Sequence, residues 1–313
     1  MPRFSFLVAV LVVSLWSAPV AFAAQAATPV VSDSAFGDAT GLPELRITAT
    51  DIAFEGVPET TAAGRYLVTF VNTASDPEGA GVHFMHLPEG MTLDTRMAPP
   101  TDAEAASNDW FYEVYQAGGA IALPGQTAQV ILDLVPGDFV VWGGFPSLPQ
   151  VPVTMTVTGD ATASPAADAW EPDADLTVTE LRTDDGGFAF QLHGTLTAGV
   201  NVVKIVNQTD QPHFFFIERY PEQITLEQVQ EFLMFDLSAG TPPPGMLDES
   251  LLEPQISAAT QSAGTTQWLA VTLEPGSHII SCFVEDPGMG GMPHAFEGML
   301  DVIQVGAAAT TAP

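Results

Sequence analysis

Gly264–Gly276 reads GTTQWLAVTLEPG, and Gly125–Gly137 reads GQTAQVILDLVPG. Each is an alternating strand bounded by glycines, with a Pro-Gly turn that leads into the next strand. The match extends upstream. Gly64–Asn72 (GRYLVTFVN) aligns without a gap to Gly199–Asn207 (GVNVVKIVN), and a His-Phe pair follows each asparagine, at His83-Phe84 and His213-Phe214. A period above ~100 residues means duplicated domains, not a solenoid of short repeats.

The two copies span 44–159 and 174–306. Between them, 160–173 is rich in Ala, Pro, Asp and Thr and reads as a linker. Segments 24–43 and 307–313 share that character and are expected to be a flexible N-terminal segment and a tail. Within each copy, Leu45–Thr50, Tyr66–Val71, Val130–Leu134, Phe139–Trp142, Val202–Val206 and Leu269–Leu273 are short β-branched or aromatic runs punctuated by Gly, Pro and Asp. This predicts an all-β chain of two tandem sandwiches. One short helix per copy is expected. Thr225-Leu-Glu-Gln228 is a capping box followed by Val229, Phe232 and Leu233 on one face, and Thr101-Asp-Ala-Glu104 opens the corresponding segment of the first copy.

The first residues, Met1-Pro2-Arg3, an apolar run from Phe4 to Trp16 and Ala21-Phe22-Ala23, have the layout of a secretory signal peptide, 1–23. The run is short for a membrane span, so no span is expected after cleavage, and a secreted, periplasmic or cell-envelope location follows. Seven Lys and Arg stand against 38 Asp and Glu, a formal net charge of −31. Such a field repels nucleic acid and anionic lipid and favours basic partners. No phosphate-binding glycine loop, no G-x-S-x-G elbow and no H-E-x-x-H pattern occurs.

Chemistry concentrates in one place. Cys282 is the single cysteine, and it opens the run CFVEDPGMGGMPHAFEGM, which ends at Met299 and contains His294. An unpaired cysteine in an exported protein suggests intermolecular pairing, a reactive thiol or a metal ligand. With imidazole and thioether neighbours the ligand reading is favoured, and soft sulfur donors favour copper.

Ile205–Phe216 (IVNQTDQPHFFF) resembles the first-histidine region of the plastocyanins, Pro275–Cys282 (PGSHIISC) the strand that delivers their cysteine, and His294–Met299 (HAFEGM) the closing end of the same loop. The chain is thus similar to the cupredoxins over most of 176–306, and more weakly over 44–159. The resemblance implies Greek-key sandwiches and one type 1-like copper held by His213, Cys282, His294 and Met299. Its implied activity is one-electron transfer to a redox partner, of basic surface given the charge, without catalysis of the protein's own. It also implies that the free nitrogen of His294 lies near the surface as an electron exit. Eleven residues separate Cys282 from His294, more than in plastocyanins; the Pro-Gly-Met…His…Gly-Met wording resembles the type 1 loop of nitrite reductases. Those enzymes need further histidines for a second copper, whereas this chain has six in all and no His-x-His pair.

The first copy lacks the set. His83 aligns with His213, but Gly143 stands at the Cys282 position and Val151 near that of Met299. His83 is expected to pack as a leftover ligand beside Met85, His86 and Met91. His278, four residues before Cys282, reads as a core residue. Two other functions fit the same residues: a Cu(I) carrier or buffer that also uses Met289 and Met292, and a metal-free binding or structural module of the cell envelope.

Overall fold

Alternation decides which face each strand buries. The first strand, β1 (Glu44–Ala49), turns Leu45, Ile47 and Ala49 inward and leaves Glu44 and Arg46 in water. Twenty strands occur in a computed structural model that describes residues 36, 41–86, 109–144, 151–159, 170–235 and 243–306. The expected signal peptide, the 307–313 tail, most of the linker, Thr101–Glu104 and Met91 lie outside the described residues.

The first copy contains β1, β2 (Phe54–Glu55), β3 (Thr60–Ala62), β4 (Gly64–Asn72), β5 (Ala80–His86), helix α1 (Asp109–Glu113), β6 (Tyr115–Ala122), β7 (Thr127–Leu134), β8 (Gly137–Trp142) and β9 (Val153–Thr158). The second contains β10 (Leu176–Arg182), β11 (Phe188–Gly194), β12 (Gly199–Asn207), β13 (His213–Tyr220), α2 (Leu226–Met234), β14 (Glu253–Pro254), β15 (Ser257–Gln261), β16 (Thr266–Leu273), β17 (Gly276–Ser281), β18 (Glu285–Asp286), β19 (Met292–Pro293), α3 (His294–Glu297) and β20 (Leu300–Val305). Strand order is the same in both. One sheet runs β2-β1-β4-β7 and its counterpart β11-β10-β12-β16; the other runs β9-β8-β5-β6 and β20-β17-β13-β15. Each copy is therefore the Greek-key β-sandwich expected. The capping box forms as read: Thr225 Oγ1 accepts from Gln228 N at 3.3 Å and Gln228 Oε1 accepts from Thr225 N at 2.9 Å. Helix α3 was not expected.

The copies are joined through their sheets. β7 pairs antiparallel with β16, setting Val130 opposite Leu269. These residues hold equivalent places in the two Gly-bounded units, so each meets its own counterpart about a local two-fold. β6 pairs with β15 in the same sense, Ala120 opposite Ala258. Two sheets thus continue across both copies, and one apolar cluster extends from Leu45 to Val305.

The outer face of this seam is covered too. Phe36 is buried with Ile131, Val202, Trp268 and Ala270. Phe36 belongs to the 24–43 segment, of which 24–35 and 37–40 lie outside the described residues, and its ring leaves water by packing in the Trp268 cluster. Arg65 and Lys204 also approach the Trp268 ring, at 4.6 and 5.1 Å, and Glu171 pairs with both cations.

Leu269 is fully buried on the seam. Leu269→Ala should cost about 2–5 kcal/mol by removing packing that collapse cannot restore. Calorimetry should show one unfolding transition moved down as a unit; two transitions, one of them unmoved, would contradict a shared core.

Candidate metal centre

Strands β17 and β20 are antiparallel neighbours, with Ser281 opposite Leu300. The long loop therefore leaves and returns at adjacent points, and Cys282 N donates to Met299 O at 3.1 Å to close its base. Within the loop, β18 and β19 form a small hairpin, and His294 N donates to Val284 O at 2.8 Å. Gly298 ends α3 with φ +131°, and a Cβ there would sit 2.6 Å from Phe188 O, so only glycine lets the chain turn toward Met299. His213 enters from the other side as the first residue of β13.

These elements bring three donor atoms together. Cys282 Sγ lies 3.6 Å from His213 Nδ1 and 3.7 Å from His294 Nδ1, and the two Nδ1 atoms are 2.9 Å apart. Nitrogen and sulfur bonds of ~2.0–2.3 Å to a first-row ion, opened to trigonal angles, place such donors roughly 3.5–3.8 Å apart. The sulfur–nitrogen separations match; the imidazole pair is pinched. All three residues are fully buried, and no other such cluster occurs among the described residues. Met299 is fully buried in an apolar cluster with Cys282, Phe188 and Val284.

Hydrogen bonds decide where the imidazole protons sit. His294 Nε2 lies 3.0 Å from Gln211 Oε1, an acceptor, so Nε2 carries the proton. Gln211 Nε2 in turn donates to Asp286 Oδ1 at 2.9 Å. His213 Nε2 lies 2.7 Å from Thr209 Oγ1, and that hydroxyl has acceptors at Asn207 Oδ1 (2.9 Å) and Gln211 O (3.0 Å) for its one proton. His213 therefore also donates from Nε2. Both Nδ1 atoms then present lone pairs to each other and to the thiol. Two lone pairs facing at 2.9 Å repel, and a cation between them removes the conflict.

The pocket is closed to solvent, and burial shifts all three groups toward their neutral forms. Burial, with His294 and Arg182 nearby, lowers His213 to about 2. Burial lowers His294 to about 4 against the opposing pull of Asp286. Burial pushes the Cys282 thiol well above its ordinary range. Phe188 forms one wall, 4.2 Å from the His294 ring and 5.0 Å from that of His213, with the Arg182 guanidinium 4.3 Å over its far face. The set fits a single type 1-like copper: two neutral imidazoles and a thiol that loses its proton as the metal enters.

His294 is itself fully buried, and its second nitrogen is capped by the half-buried Gln211. Gln211, Thr209, Asp286 and Phe188 were not singled out from sequence; the first two lie inside the Asn207–His213 loop that was. His278 is buried, its Nε2 2.9 Å from Glu274 O. In the first copy, His83 is buried against Trp142 at 5.4 Å, and neither ring nitrogen has a hydrogen-bond partner among the described residues.

No family model matches the chain, and no curated protein does. Solved structures similar to it include a multicopper oxidase, at 14% identity over 84% of this chain and 88% of that one, with a TM-score of 0.23. The copper nitrite reductase of Thermus scotoductus SA-01 is 11% identical over 87% of this chain and 63% of its own, TM-score 0.26. Auracyanin of Roseiflexus castenholzii is 19% identical over 42% of this chain and 94% of its own, TM-score 0.25. At these scores the likenesses add nothing to the site, whose reading rests on its own donor atoms.

Glu180 of β10 is fully buried. Gln261, the strand partner of His213, donates to its Oε2 at 3.1 Å, and Oε1 has no hydrogen-bond partner among the described residues. Burial raises it from 4.5 to about 8, so it is a neutral acid at neutral pH. The folded chain then keeps a proton that the unfolded chain releases above about pH 4.5, and stability falls as pH rises toward 8. Glu218, raised to about 7, acts in the same sense. Glu180→Gln should flatten this slope in denaturant titrations between pH 5 and 8, with a gain at pH 8 on the order of a few kcal/mol. An unchanged slope would show Glu180 ionised in the fold.

Proposed function

We propose that this is an exported protein that carries single electrons on one mononuclear copper in its second cupredoxin-like sandwich, with no catalysis of its own. The observation that carries the reading is the convergence of His213 Nδ1, His294 Nδ1 and Cys282 Sγ in a pocket that excludes water. His213, Cys282 and His294 would hold the metal, with the thioether of Met299, buried in the cluster beside Cys282, as a further soft donor. Bound copper supplies a one-electron couple.

The chain's own residues set the conditions for it. Cys282 gives up its thiol proton on binding. Thr209 and Gln211 hold the imidazoles with Nδ1 inward, and Phe188, with Arg182 stacked on it, packs against both rings. A cage built by two sheets and a pinned loop cannot rearrange much between oxidation states, which is what rapid electron exchange requires. With His294 sealed, the short route outward is covalent, from Cys282 to its neighbour Phe283, whose ring is exposed. Phe283, Met289, Met292 and Phe296 are all exposed on the ligand loop, and they would form the contact surface for a redox partner whose basic charge complements this acidic chain.

A Cu(I) carrier is the second reading. It is favoured by the exposure of Met289 (56%) and Met292 (42%), two thioethers outside the pocket. Titration of the purified protein with Cu(II) separates the two. Electron transfer predicts one equivalent bound, an intense thiolate-to-copper absorption and a narrow hyperfine splitting in paramagnetic resonance. Tight Cu(I) binding without colour would favour the carrier, and no stoichiometric copper would exclude both. Cys282→Ser should abolish the colour and keep the β-sheet circular dichroism. A coloured Cys282→Ser protein would remove the thiolate from the site.

A further inference from the structure

We infer that the first copy, which has no metal set of its own, supplies a positioning residue to the metal centre of the second: Tyr112 of α1, whose hydroxyl clamps the ligand loop.

The Tyr112 hydroxyl donates to the carbonyl of Glu285, the first residue of β18. Its ring and that of Phe111 stand edge to face at 5.5 Å and pack on the cluster formed by Phe188, Cys282, Val284 and Met299. A tyrosine from one copy therefore touches both the backbone of the other copy's ligand loop and the apolar wall around its thiol.

The contact is not a chance approach of two surfaces, because the seam delivers it. Helix α1 leads directly into β6, and the first turn of that strand is tied to the second copy. Gln116 N donates to Ser262 Oγ and Ser262 N donates to Gln116 O, both at 2.9 Å. Gln116 Nε2 reaches back to Phe111 O at 3.3 Å. The register of β6 on β15 thus determines where α1 lies, and α1 lies against the loop.

A loop this long needs such a hold. Cys282 and Met299 are fixed by β17 and β20, and His294 lies between the hairpin of β18 and β19 on one side, through its N bond to Val284 O, and Met299 on the other, whose N donates to His294 O at 2.9 Å. Two hydrogen bonds on its first strand tie that hairpin to the body among the described residues. Gln211 holds it at Asp286 from within the second copy, and Tyr112 holds it one residue earlier, at Glu285, from the first. Releasing Tyr112 removes the first copy's hold on the hairpin that precedes His294 and leaves that hairpin's tie to the body at Gln211. The acid-rich first copy is then a part of the metal cage, which accounts for its presence without ligands.

The inference rests on the copper reading for its metal readout, so two measurements are paired. Tyr112→Phe keeps the ring and removes the hydroxyl. In copper-loaded, reduced protein, a Cu(I) chelator should extract the metal from Tyr112→Phe about 3- to 10-fold faster than from the wild type, the effect of one hydrogen bond. The hyperfine splitting of the oxidised form should change while the thermal midpoint of the metal-free protein stays put. In the metal-free protein, hydrogen exchange of the Gly291 and His294 amides should rise by a similar factor, whether or not copper is the true occupant. Wild type without copper, together with faster exchange in Tyr112→Phe, would sink the copper reading and keep the clamp. Unchanged exchange with unchanged extraction and splitting would overturn the clamp and leave the copper reading standing. Tyr112→Leu, which also removes the ring edge, should exceed Tyr112→Phe in both rates; equal rates in all three proteins would again overturn it.

Discussion

The antiparallel pairing of β7 with β16, and of β6 with β15, is the constraint from which the rest of the molecule follows. Strand edges are unpaired rows of hydrogen-bonding groups, open to pairing with another strand. Here the equivalent edges of two copies satisfy each other about a local two-fold. The two cores become one, Trp268 gains its cover from Phe36, and α1 is carried to the metal centre. A pair of sandwiches joined only by a linker would do none of this.

At the centre, geometry and electrostatics agree on the missing component. The pocket holds two imidazole lone pairs and a thiol at contact distance, all three fully buried. Left empty, that arrangement is repulsive between the nitrogens and costly for any ionised form. Filled by a soft cation, each donor is used and the thiol proton is the one that leaves. The Gln211–Asp286 connection then does two things at once: it sets the His294 proton on Nε2, and it closes the face through which water would reach the metal. On the electron-transfer proposal, exchange would use another face, and the exposed Phe283, Met289, Met292 and Phe296 of the ligand loop supply one.

The strands were legible in the sequence because period-two alternation and Pro-Gly turns are local signals; Glu44–Ala49 and Thr266–Leu273 fall where Leu45–Thr50 and Leu269–Leu273 were expected. The capping box at Thr225 is equally local. His213, Cys282 and His294 could be brought together only through the resemblance, since nothing in their spacing determines a distance across two strands and a loop. What stayed hidden depends on partners remote in the chain. Edge pairing is invisible to alternation, because Val130 and Leu269 look like any buried strand residues. Tyr112 meets Glu285 only because of that pairing. The cap on the second nitrogen of His294 is Gln211, a residue type common in loops. Phe36 lies in a segment whose composition speaks for flexibility, and its own ring is buried where the Trp268 cluster receives it.

The central claim is that one thiolate and two imidazoles surround a single metal. X-ray absorption at the copper edge of the loaded protein tests it most directly. The account predicts two nitrogen scatterers with the imidazole pattern and one sulfur, all within ~2.0–2.3 Å of one copper per chain. A first shell of nitrogen and oxygen alone, without that sulfur, would contradict it.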